Sequence, residues 1–265
     1  MVERIVSILE GIKQKSPLIH HITNYVTVND CANIALAIGA SPVMAQDINE
    51  VEDMVSIASS LVINIGTLSS DTVEAMILAG KKAKKMGIPV VFDPVGVGAT
   101  PYRNDVAIRI LKEVKPDVIR GNASEIKCLS GFGGKTKGVD STDDSSEIEK
   151  FALELVEKTN GIIAITGKRD IIIDSNQKVY IENGDFLLTK VTGTGCMTTS
   201  LVGCGVAVGD SFWGTVAGVC FMGIAGEIAK ETLKSREGLG SYRVKLMDAI
   251  SNIDDNIIKN FLKIS

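Results

Sequence analysis

The sequence predicts an α/β protein in which a mainly parallel central sheet is flanked by helices. Short runs rich in β-branched residues alternate with amphipathic helical patterns, as they do in right-handed βαβ units. Hydrophobic residues make up 45% of the 265 positions and charged residues 23%, which are globular proportions that exclude a wholly disordered chain. No linker, repeat or shift in composition divides the sequence, so we expect a single domain over residues 1–265.

Short apolar runs bounded by turn residues predict six strands, at 61–65, 88–92, 117–120, 161–165, 170–173 and 178–182. Between the first two, Asp71 and Glu74 predict a capping box, and Gly87 predicts the end of a helix. A second helix is expected at 104–115. The turn residues 174–176 predict that the last two strands form a hairpin.

The last third of the chain is predicted to be mostly helical and to end with a helix at 241–263. The apolar stretch at 197–226 carries one charge, Asp210, and is rich in Gly, Ala, Ser and Thr. Because a turn at 209–211 divides this stretch, we expect two buried helices packed through small residues rather than a membrane span. The Gly, Ser and Asp content of 131–146 predicts a mobile loop near a site.

Charge and cysteine content exclude several functional classes. The net charge of −4 and the pI near 5.4 argue against a nucleic-acid binder. The five cysteines form no CxxC pair, which disfavours a disulfide framework or a zinc site and fits a reduced, cytoplasmic location. The charged, amphipathic N-terminus is unlike a signal peptide, so no membrane association is expected.

Polar residues follow four of the predicted parallel strands, where ligands bind in an open α/β sheet. These strand ends carry Gly66 and Thr67, Asp93, Arg120 with Asn122 and Glu125, and Thr166. Singly, each has an ordinary explanation: Asp93 could cap a turn, Arg120 could form a surface ion pair, and Glu125 could favour a helix N-terminus. Four such ends along one edge favour a ligand site.

A second candidate feature is Gly193-Thr194-Gly195, which precedes a helix of small residues. Glycine turns can direct backbone N–H groups at an anion, and the helix dipole favours negative charge there. The segment is not a Walker motif, because no GK[ST] follows it, and it does not have the position of a Rossmann fingerprint. Tight packing is an alternative explanation for its glycines. Cys196 begins the helix, where a thiol can be partly activated, although most free cysteines are buried hydrophobes.

Together these residues indicate phosphate chemistry. The glycine turn would stabilise a transferring phosphoryl group, and Arg120 would pair with its oxygens. Asp93 and Glu125 would hold Mg²⁺, directly or through water, because this hard cation prefers oxygen ligands.

At least one of the adjacent residues His20 and His21 is expected to be structural. In an extended segment they point in opposite directions and cannot act as a pair. Their spacing does not suit metal ligation, and no zinc motif surrounds them.

Two short elements resemble those of the ribokinase-like superfamily: residues 122–125 resemble its NxxE element, and residues 193–196 resemble its GxGD element. Longer strings resemble one branch, the hydroxyethylthiazole kinases: HHITNYVTVNDCANIALAIGASPVMAQ at 20–46, FDPVGVGAT at 92–100, IRGNASEI at 119–126 and TGTGCMTTSLVG at 192–203. The similarity extends from about residue 16 to residue 227.

The resemblance implies a ribokinase-like three-layer fold and an ATP-dependent kinase. The implied substrate is the hydroxyl of 4-methyl-5-(2-hydroxyethyl)thiazole, in thiamine biosynthesis and salvage. The implied assembly is a cytosolic homotrimer with active sites between neighbouring subunits, and the implied cofactor is Mg²⁺.

The resemblance also implies individual roles. By position, the substrate contacts are Asn24, Val26, Met44 and Gly193, the ATP contacts are Arg120, Asn122 and Thr166, the Mg²⁺ ligands are Asp93 and Glu125, and the catalytic segment comprises Gly193, Gly195 and Cys196. Most superfamily members place an aspartate base where this chain has Cys196. The cysteine is common in the thiazole-kinase branch, and whether it acts as a base stays open.

Two other functions are possible for such a sequence. An ADP- or ATP-dependent dehydratase acting on hydrated nicotinamide cofactors would have the same fold, but such enzymes normally keep the aspartate, so Cys196 and the string ITNYVTVN argue against it. A non-catalytic nucleotide sensor would not need Asp93 and Glu125.

Overall fold

The fold is given by a computed structural model, which describes residues 1–131 and 145–265. The strands are β1 (Leu18–Ile22), β2 (Ser41–Met44), β3 (Ser60–Asn64), β4 (Val90–Asp93), β5 (Val118–Asn122), β6 (Ile162–Thr166), β7 (Asp170–Ile173) and β8 (Lys178–Ile181). The helices are α1 (Val2–Lys15), α2 (Val28–Ile38), α3 (Val51–Ser56), α4 (Ser70–Met86), α5 (Pro101–Glu113), α6 (Ala123–Ser130), α7 (Ser145–Thr159), α8 (Thr194–Val206), α9 (Ser211–Glu231), α10 (Leu239–Asn252) and α11 (Asp255–Phe261), with a 3-10 helix at Phe186–Lys190.

Within the described residues, the strands form an eight-stranded sheet in the order β2-β1-β3-β4-β5-β6-β7-β8. The pairs from β2 to β6 are parallel, and β7 and β8 add to that sheet as an antiparallel hairpin. The predicted mainly parallel sheet and the predicted hairpin are both confirmed. Since each parallel step needs a crossover, the helices that connect these strands cover the faces of the sheet.

Alternate residues of the central strands face two separate hydrophobic clusters. Val62 and Val91 belong to one cluster, with residues of α1, α2, α8, α9 and α10. Leu61, Ile63 and Phe92 belong to the other, with residues of α3 to α7. A parallel sheet buried on both faces explains why its strands are continuous apolar runs in the sequence. The architecture is three layers, with the sheet in the middle.

Strands β1 and β2 were not among the predicted strands. Their sequences, LIHHI and SPVM, carry two histidines, a serine and a proline, so neither reads as a β-rich apolar run. Parallel pairing with β3 on one side and β2 on the other makes β1 a strand nonetheless.

Both histidines of β1 are buried and structural, which confirms the prediction that at least one of them would be. His20 Nε2 lies 2.7 Å from the carbonyl oxygen of Ala45, and His21 Nε2 lies 3.1 Å from Ser200 Oγ. Burial lowers the pKa of both imidazoles, that of His21 to about 4. Both rings are therefore neutral at physiological pH and serve as hydrogen-bonding groups of the core.

The start of α4 differs from the prediction. The N-cap is Ser69, whose extended backbone places Oγ 3.2 Å from the donating Thr72 N–H. Asp71 already lies inside the helix, so the predicted capping box with Glu74 is wrong. Gly87 ends the helix in the left-handed region, at φ +71°, as predicted.

The C-terminal segment also differs, because the helix predicted at 241–263 is two helices. Ile253 is extended and fully buried between α10 and α11. Asp254 then accepts a hydrogen bond of 2.7 Å from the N–H of Ile257, which starts a new helix. Of the loop predicted at 131–146, residues 132–144 lie outside the described residues.

Each edge of the sheet is closed to further strand pairing in its own way. The four-residue β2 contains Pro42, which has no N–H to offer. At the other edge, the C-terminal residues lie along β8: the N–H of Tyr180 donates to Ser265 O at 2.8 Å, and the N–H of Ser265 donates to Tyr180 O at 3.0 Å. The ends of the sheet are thus short or covered.

Helices α8 and α9 are the buried small-residue pair that the sequence predicts. A Cβ on Gly205 would lie 2.2 Å from Gly214 O, and a Cβ on Gly218 would lie 2.5 Å from Val202 N. Among the described helices, α9 is long and apolar enough to cross a membrane, but 89% of its most apolar window is buried inside the fold. It is a core helix whose backbone touches that of its neighbour.

We expect Gly214→Ala to lower the free energy of unfolding by about 3 kcal/mol, since the new methyl meets the α8 backbone and overpacking outweighs the gain in helix propensity. Urea denaturation monitored by circular dichroism measures this loss. Gly240→Ala is the matched control, because Gly240 is helical and a Cβ there meets no atom within 4 Å. Equal stability of both variants and the wild type would contradict backbone contact between α8 and α9.

Candidate active site

The carboxyl ends of β3 to β6 bring the predicted polar residues together. Asn64 pairs in register with Asp93, and Asn122 pairs with Thr166. Arg120 lies two residues before Asn122 on β5. The N-terminus of α8 arrives at the same edge, so the glycine turn and the strand ends form one cluster.

Asp93 is the buried acidic group of this cluster, with no exposed surface. Its Oδ2 accepts hydrogen bonds from Asn64 Nδ2 at 3.0 Å and Thr199 Oγ1 at 2.7 Å. Its Oδ1 is buried without a hydrogen-bond partner among the described residues. Burial raises the pKa of Asp93 to about 6, although Arg120 and the two hydrogen bonds favour the charged form. The carboxylate therefore has one oxygen that is free to bind.

Glu125 and Asn122 form a reciprocal capping box at the start of α6. Asn122 Oδ1 accepts from the N–H of Glu125 at 2.9 Å, and Glu125 Oε2 accepts from the N–H of Asn122 at 2.9 Å. Glu125 Oε1 also accepts from the N–H of Gly96 at 2.9 Å. The buried Glu125 thus favours a helix N-terminus and also ties the loop after β4 to the end of β5.

Arg120 is largely buried, with 11% of its side chain exposed, and it is not a surface ion pair. Its Nη2 donates to Thr166 Oγ1, and its Nη1 lies 3.9 Å from Asp93 Oδ2. Its Nε is buried without a partner among the described residues. A Cβ on Gly195 would lie 2.8 Å from Arg120 Nη1, so only glycine allows the guanidinium to approach α8 this closely.

The N-terminus of α8 carries no side-chain cap. Its N-cap is Gly193, whose φ of +87° lies in the left-handed region. A Cβ on Gly193 would also lie 2.7 Å from Thr27 Cγ2, so the position needs glycine for both reasons. The N–H groups of the first helical turn have no acceptor within the helix and are available to an anion.

Cys196 lies in this first turn and receives two amide donors. Its Sγ is 3.3 Å from Asn64 Nδ2 and 3.4 Å from Asn24 Nδ2. Burial, and then the charge of Asp93, raise the pKa of the thiol above its usual value. The activation that a helix start can give a thiol is therefore outweighed, and Cys196 is a neutral thiol at physiological pH.

The predicted substrate residues are brought together only in part. Asn24 is buried in the cluster, where its Oδ1 accepts from the N–H and Oγ1 of Thr27, both at 3.1 Å. Val26 is exposed at the surface. Met44 ends β2, which β1 separates from β3, and two strand spacings are about 10 Å. Within one chain, Asn24 adjoins Cys196 while Met44 stands at the edge of the sheet.

The chemistry of the donors fits a hard divalent cation. Asp93 and Glu125 supply carboxylate oxygens, and the unpartnered Asp93 Oδ1 is a ready ligand. Among the described residues, no group of three or more His, Cys, Asp or Glu side chains could hold a metal by itself. The arrangement suits Mg²⁺, which keeps several waters and takes its remaining ligands from phosphates.

Sequence reasoning missed three residues of the cluster: Asn64, Thr199 and Arg103. Asn64 left a signal, since it is the polar residue in the apolar run 61–65. Arg103 left none, because its guanidinium donates to backbone carbonyls of two neighbouring loops. Its Nη1 contacts Ile65 O at 2.6 Å and Val95 O at 2.8 Å, and its Nη2 contacts Gly66 O at 2.8 Å.

The chain is similar to known proteins over almost its whole length. The chain is 56% identical to a hydroxyethylthiazole kinase from Alkaliphilus oremlandii over 256 residues, which cover 96% of this chain and 94% of that protein. A hydroxyethylthiazole kinase from Clostridium tetani is 54% identical over 261 residues, with the same coverage of 96% and 94%.

Solved structures share the fold. The hydroxyethylthiazole kinase of Pyrococcus horikoshii matches with a TM-score of 0.90 and 38% identity, over 99% of this chain and 98% of that chain. The pyridoxal kinase of Staphylococcus aureus, solved with pyridoxal, matches with a TM-score of 0.63 and 15% identity over 94% and 97% of the two chains, and so shares the ribokinase-like fold alone. The sequence model of the hydroxyethylthiazole kinase family matches residues 9–256. The chain therefore belongs to the hydroxyethylthiazole kinase family.

Proposed function

We propose that the protein transfers a phosphoryl group from ATP to the hydroxyl of 4-methyl-5-(2-hydroxyethyl)thiazole, a step of thiamine biosynthesis and salvage. One observation carries this proposal. The guanidinium of Arg120 lies against the uncapped N-terminus of α8, at a distance that the missing Cβ of Gly195 allows. The positive charge of Arg120 and the positive end of the α8 dipole therefore meet at one point, beside the Cys196 thiol and the buried Asp93 carboxylate.

This point suits a transferring phosphoryl group. The transition state spreads negative charge over equatorial oxygens, so donors fixed in advance lower its free energy. The N–H groups of the first turn of α8 would donate to these oxygens, and Arg120 would pair with them through its fork of donors. Thr166 holds one arm of that fork, which keeps the guanidinium oriented before the nucleotide arrives.

ATP would lie along the ends of β5 and β6. Arg120, Thr166 and Asn122 are the proposed contacts, and Asn122 is exposed at the mouth of the cluster. Asp93, through its free Oδ1, and Glu125 would hold Mg²⁺, directly or through water. The cation would neutralise charge on the phosphates during transfer.

The acceptor hydroxyl would lie near Cys196 and Asn24. Because phosphoryl transfer has a loose transition state, the hydroxyl keeps its proton until late, and a strong base is not required. A neutral thiol whose sulfur accepts two amide hydrogen bonds would orient the acceptor hydroxyl without taking up its proton, which would pass to an oxygen of the transferred phosphate or to solvent as the new P–O bond forms and the bond to ADP breaks. This role agrees with the raised pKa of Cys196.

We further propose that the active sites lie between the subunits of a homotrimer. Tyr25, Val26, Leu36 and Ile57 are exposed apolar residues that flank the β1 and β2 side of the sheet. Met44 stands about two strands from Asn64 in its own chain. A neighbouring subunit would cover this apolar surface and would bring Met44 and Val26 to the thiazole ring.

The proposal is tested by incubating the protein with ATP, Mg²⁺ and the thiazole alcohol, and by following ADP release and the phosphorylated product by mass spectrometry. We expect stoichiometric thiazole phosphate and ADP, with the rate lost when EDTA removes Mg²⁺. Pyridoxal in place of the thiazole alcohol is the control acceptor. Failure to phosphorylate the thiazole, with dehydration of hydrated NADH instead, would support the dehydratase and overturn the proposal.

Arg120→Ala is expected to lower kcat/KM for ATP by about 10²-fold or more, because the variant loses donors that act on the transferring group. Affinity for the thiazole alcohol, measured by calorimetry, should change little. Arg120→Lys is the matched control, since it keeps the charge without the planar fork and should recover only part of the activity. Equal losses in affinity for both substrates would remove Arg120 from the phosphate site.

Gly195→Val and Cys196→Ala separate the role of the glycine turn at 193–195 from the role of the Cys196 thiol. Cys196→Ala should lower kcat by no more than about 10²-fold, the lower end of the range for loss of a general base. Gly195→Val should cost more, because its side chain would displace Arg120 and block the helix N-terminus. Cys204→Ala, a buried cysteine of the same helix, controls for core effects on stability. An inactive Cys196→Ala beside a nearly normal Gly195→Val would point to covalent chemistry at the cysteine.

A further inference from the structure

Asn64 is the last residue of β3 and is 1% exposed. Its Oδ1 accepts hydrogen bonds from Asn24 Nδ2 and from the N–H of Gly66, both at 2.9 Å. Its Nδ2 donates to Asp93 Oδ2 at 3.0 Å and to Cys196 Sγ at 3.3 Å. All four hydrogen-bonding positions of this one amide are occupied.

The network fixes which way the amide faces. If the oxygen and nitrogen exchanged places, two N–H donors would face the donors of Asn24 and Gly66, and the oxygen would face the carboxylate of Asp93. The Nδ2 group must therefore divide its two hydrogens between Asp93 and Cys196. No other uncharged side chain of this length offers two acceptor and two donor positions from the end of a buried strand.

Asn64 lies where the two halves of the site meet. Asp93 belongs to the proposed Mg²⁺ and nucleotide half, and Cys196 belongs to the proposed acceptor half. Thr199 contacts only the carboxylate of this pair, and Asn24 contacts only the thiol. Among the residues that the structure describes, Asn64 is the side chain whose hydrogen bonds reach both groups.

We propose that Asn64 is a positioning residue that fixes Cys196 Sγ relative to the Asp93 carboxylate and so aligns the acceptor hydroxyl with the phosphoryl group. This inference rests on the proposed kinase function. Asn64 acts through its neighbours and is not a ligand of either substrate. Because reacting atoms must lie about 3–3.5 Å apart, a shift of about 1 Å costs about 10²-fold in rate. Loss of alignment reduces kcat, whereas loss of a binding contact raises KM.

The test compares Asn64→Ser with Ser60→Ala. Ser60 is fully buried at the other end of β3, where its Oγ donates to Gly203 O at 2.8 Å, so its variant also removes a buried hydrogen bond from this strand. We expect Asn64→Ser to lower kcat by about 10²-fold with both KM values within about 3-fold of the wild type. Ser60→Ala should lower the melting temperature and leave kcat within about 3-fold.

A double-mutant cycle identifies the neighbour through which Asn64 acts. If Asn64 positions Cys196, then Asn64→Ser should cost far less kcat in a Cys196→Ala background than in the wild type. Equal costs in both backgrounds, or a kcat loss in Ser60→Ala as large as in Asn64→Ser, would overturn the positioning role.

A second variant covers the case in which Asn64→Ser does not fold. Asn64→Asp keeps the shape of the side chain and both accepted hydrogen bonds, but it replaces the two donors with an oxygen. It should lose at least as much kcat as Asn64→Ser, and near-normal kcat would overturn the proposal. A wild type that does not phosphorylate the thiazole alcohol would overturn the kinase function as well, whereas an active wild type with active Asn64 variants would overturn only the role of Asn64.

Discussion

The position of helix α8 is the constraint on which both the core and the candidate site depend. A Cβ on Gly195 would lie 2.8 Å from Arg120. A Cβ on Gly203 would lie 2.5 Å from Val62, and a Cβ on Gly205 would lie 2.2 Å from the backbone of Gly214. The glycines let one helix approach a cationic side chain at its start, the sheet at its middle and a second helix at its end. Since these contacts fix the helix along its whole length, its uncapped N-terminus is held at the strand ends without any ligand.

The buried charges at those strand ends cost stability and are available for binding. Burial raises the pKa of Asp93 to about 6, which shows that its partners only partly offset the loss of water. Asp93 Oδ1 and Arg120 Nε are buried side-chain atoms without partners among the described residues. Buried polar groups are nearly always paired, so two unpaired ones beside the same helix terminus mark a place where a ligand completes the structure.

Much of the fold and the centre of the site could be predicted from the sequence. Parallel strands buried on both faces leave continuous apolar runs, and the residues at the ends of these runs meet at one edge. The sequence therefore predicts that Asp93, Arg120, Glu125 and Thr166 lie close together. The capping box at Asp71 was wrong because several polar residues precede α4, and helical periodicity does not choose among them. Strands β1 and β2 were not predicted, because histidines in β1 and a proline in β2 interrupt the apolar run by which a buried strand is recognised.

The remaining site residues depend on contacts that no local pattern encodes. The Arg103 guanidinium donates to the backbone carbonyls of Ile65, Gly66 and Val95. Because every residue has a backbone carbonyl, the sequence gives no signal of these contacts. Asn64 is visible as a polar residue in an apolar strand, but its four partners come from β4, α8 and two loops. Met44 lies on β2, which β1 separates from β3, and Val26 is exposed, so no contact within the chain places either residue at the cluster.

The closed edges of the sheet have a consequence for the protein at high concentration. An exposed strand edge offers unpaired N–H and C=O groups to other chains and can start aggregation. Here β2 is short and interrupted by Pro42, and the C-terminal residues pair with Tyr180 along β8. Within the described residues, a crowded solution of folded chains therefore finds no long free edge on which to build an intermolecular sheet, and removal of the last three residues would uncover the four-residue β8.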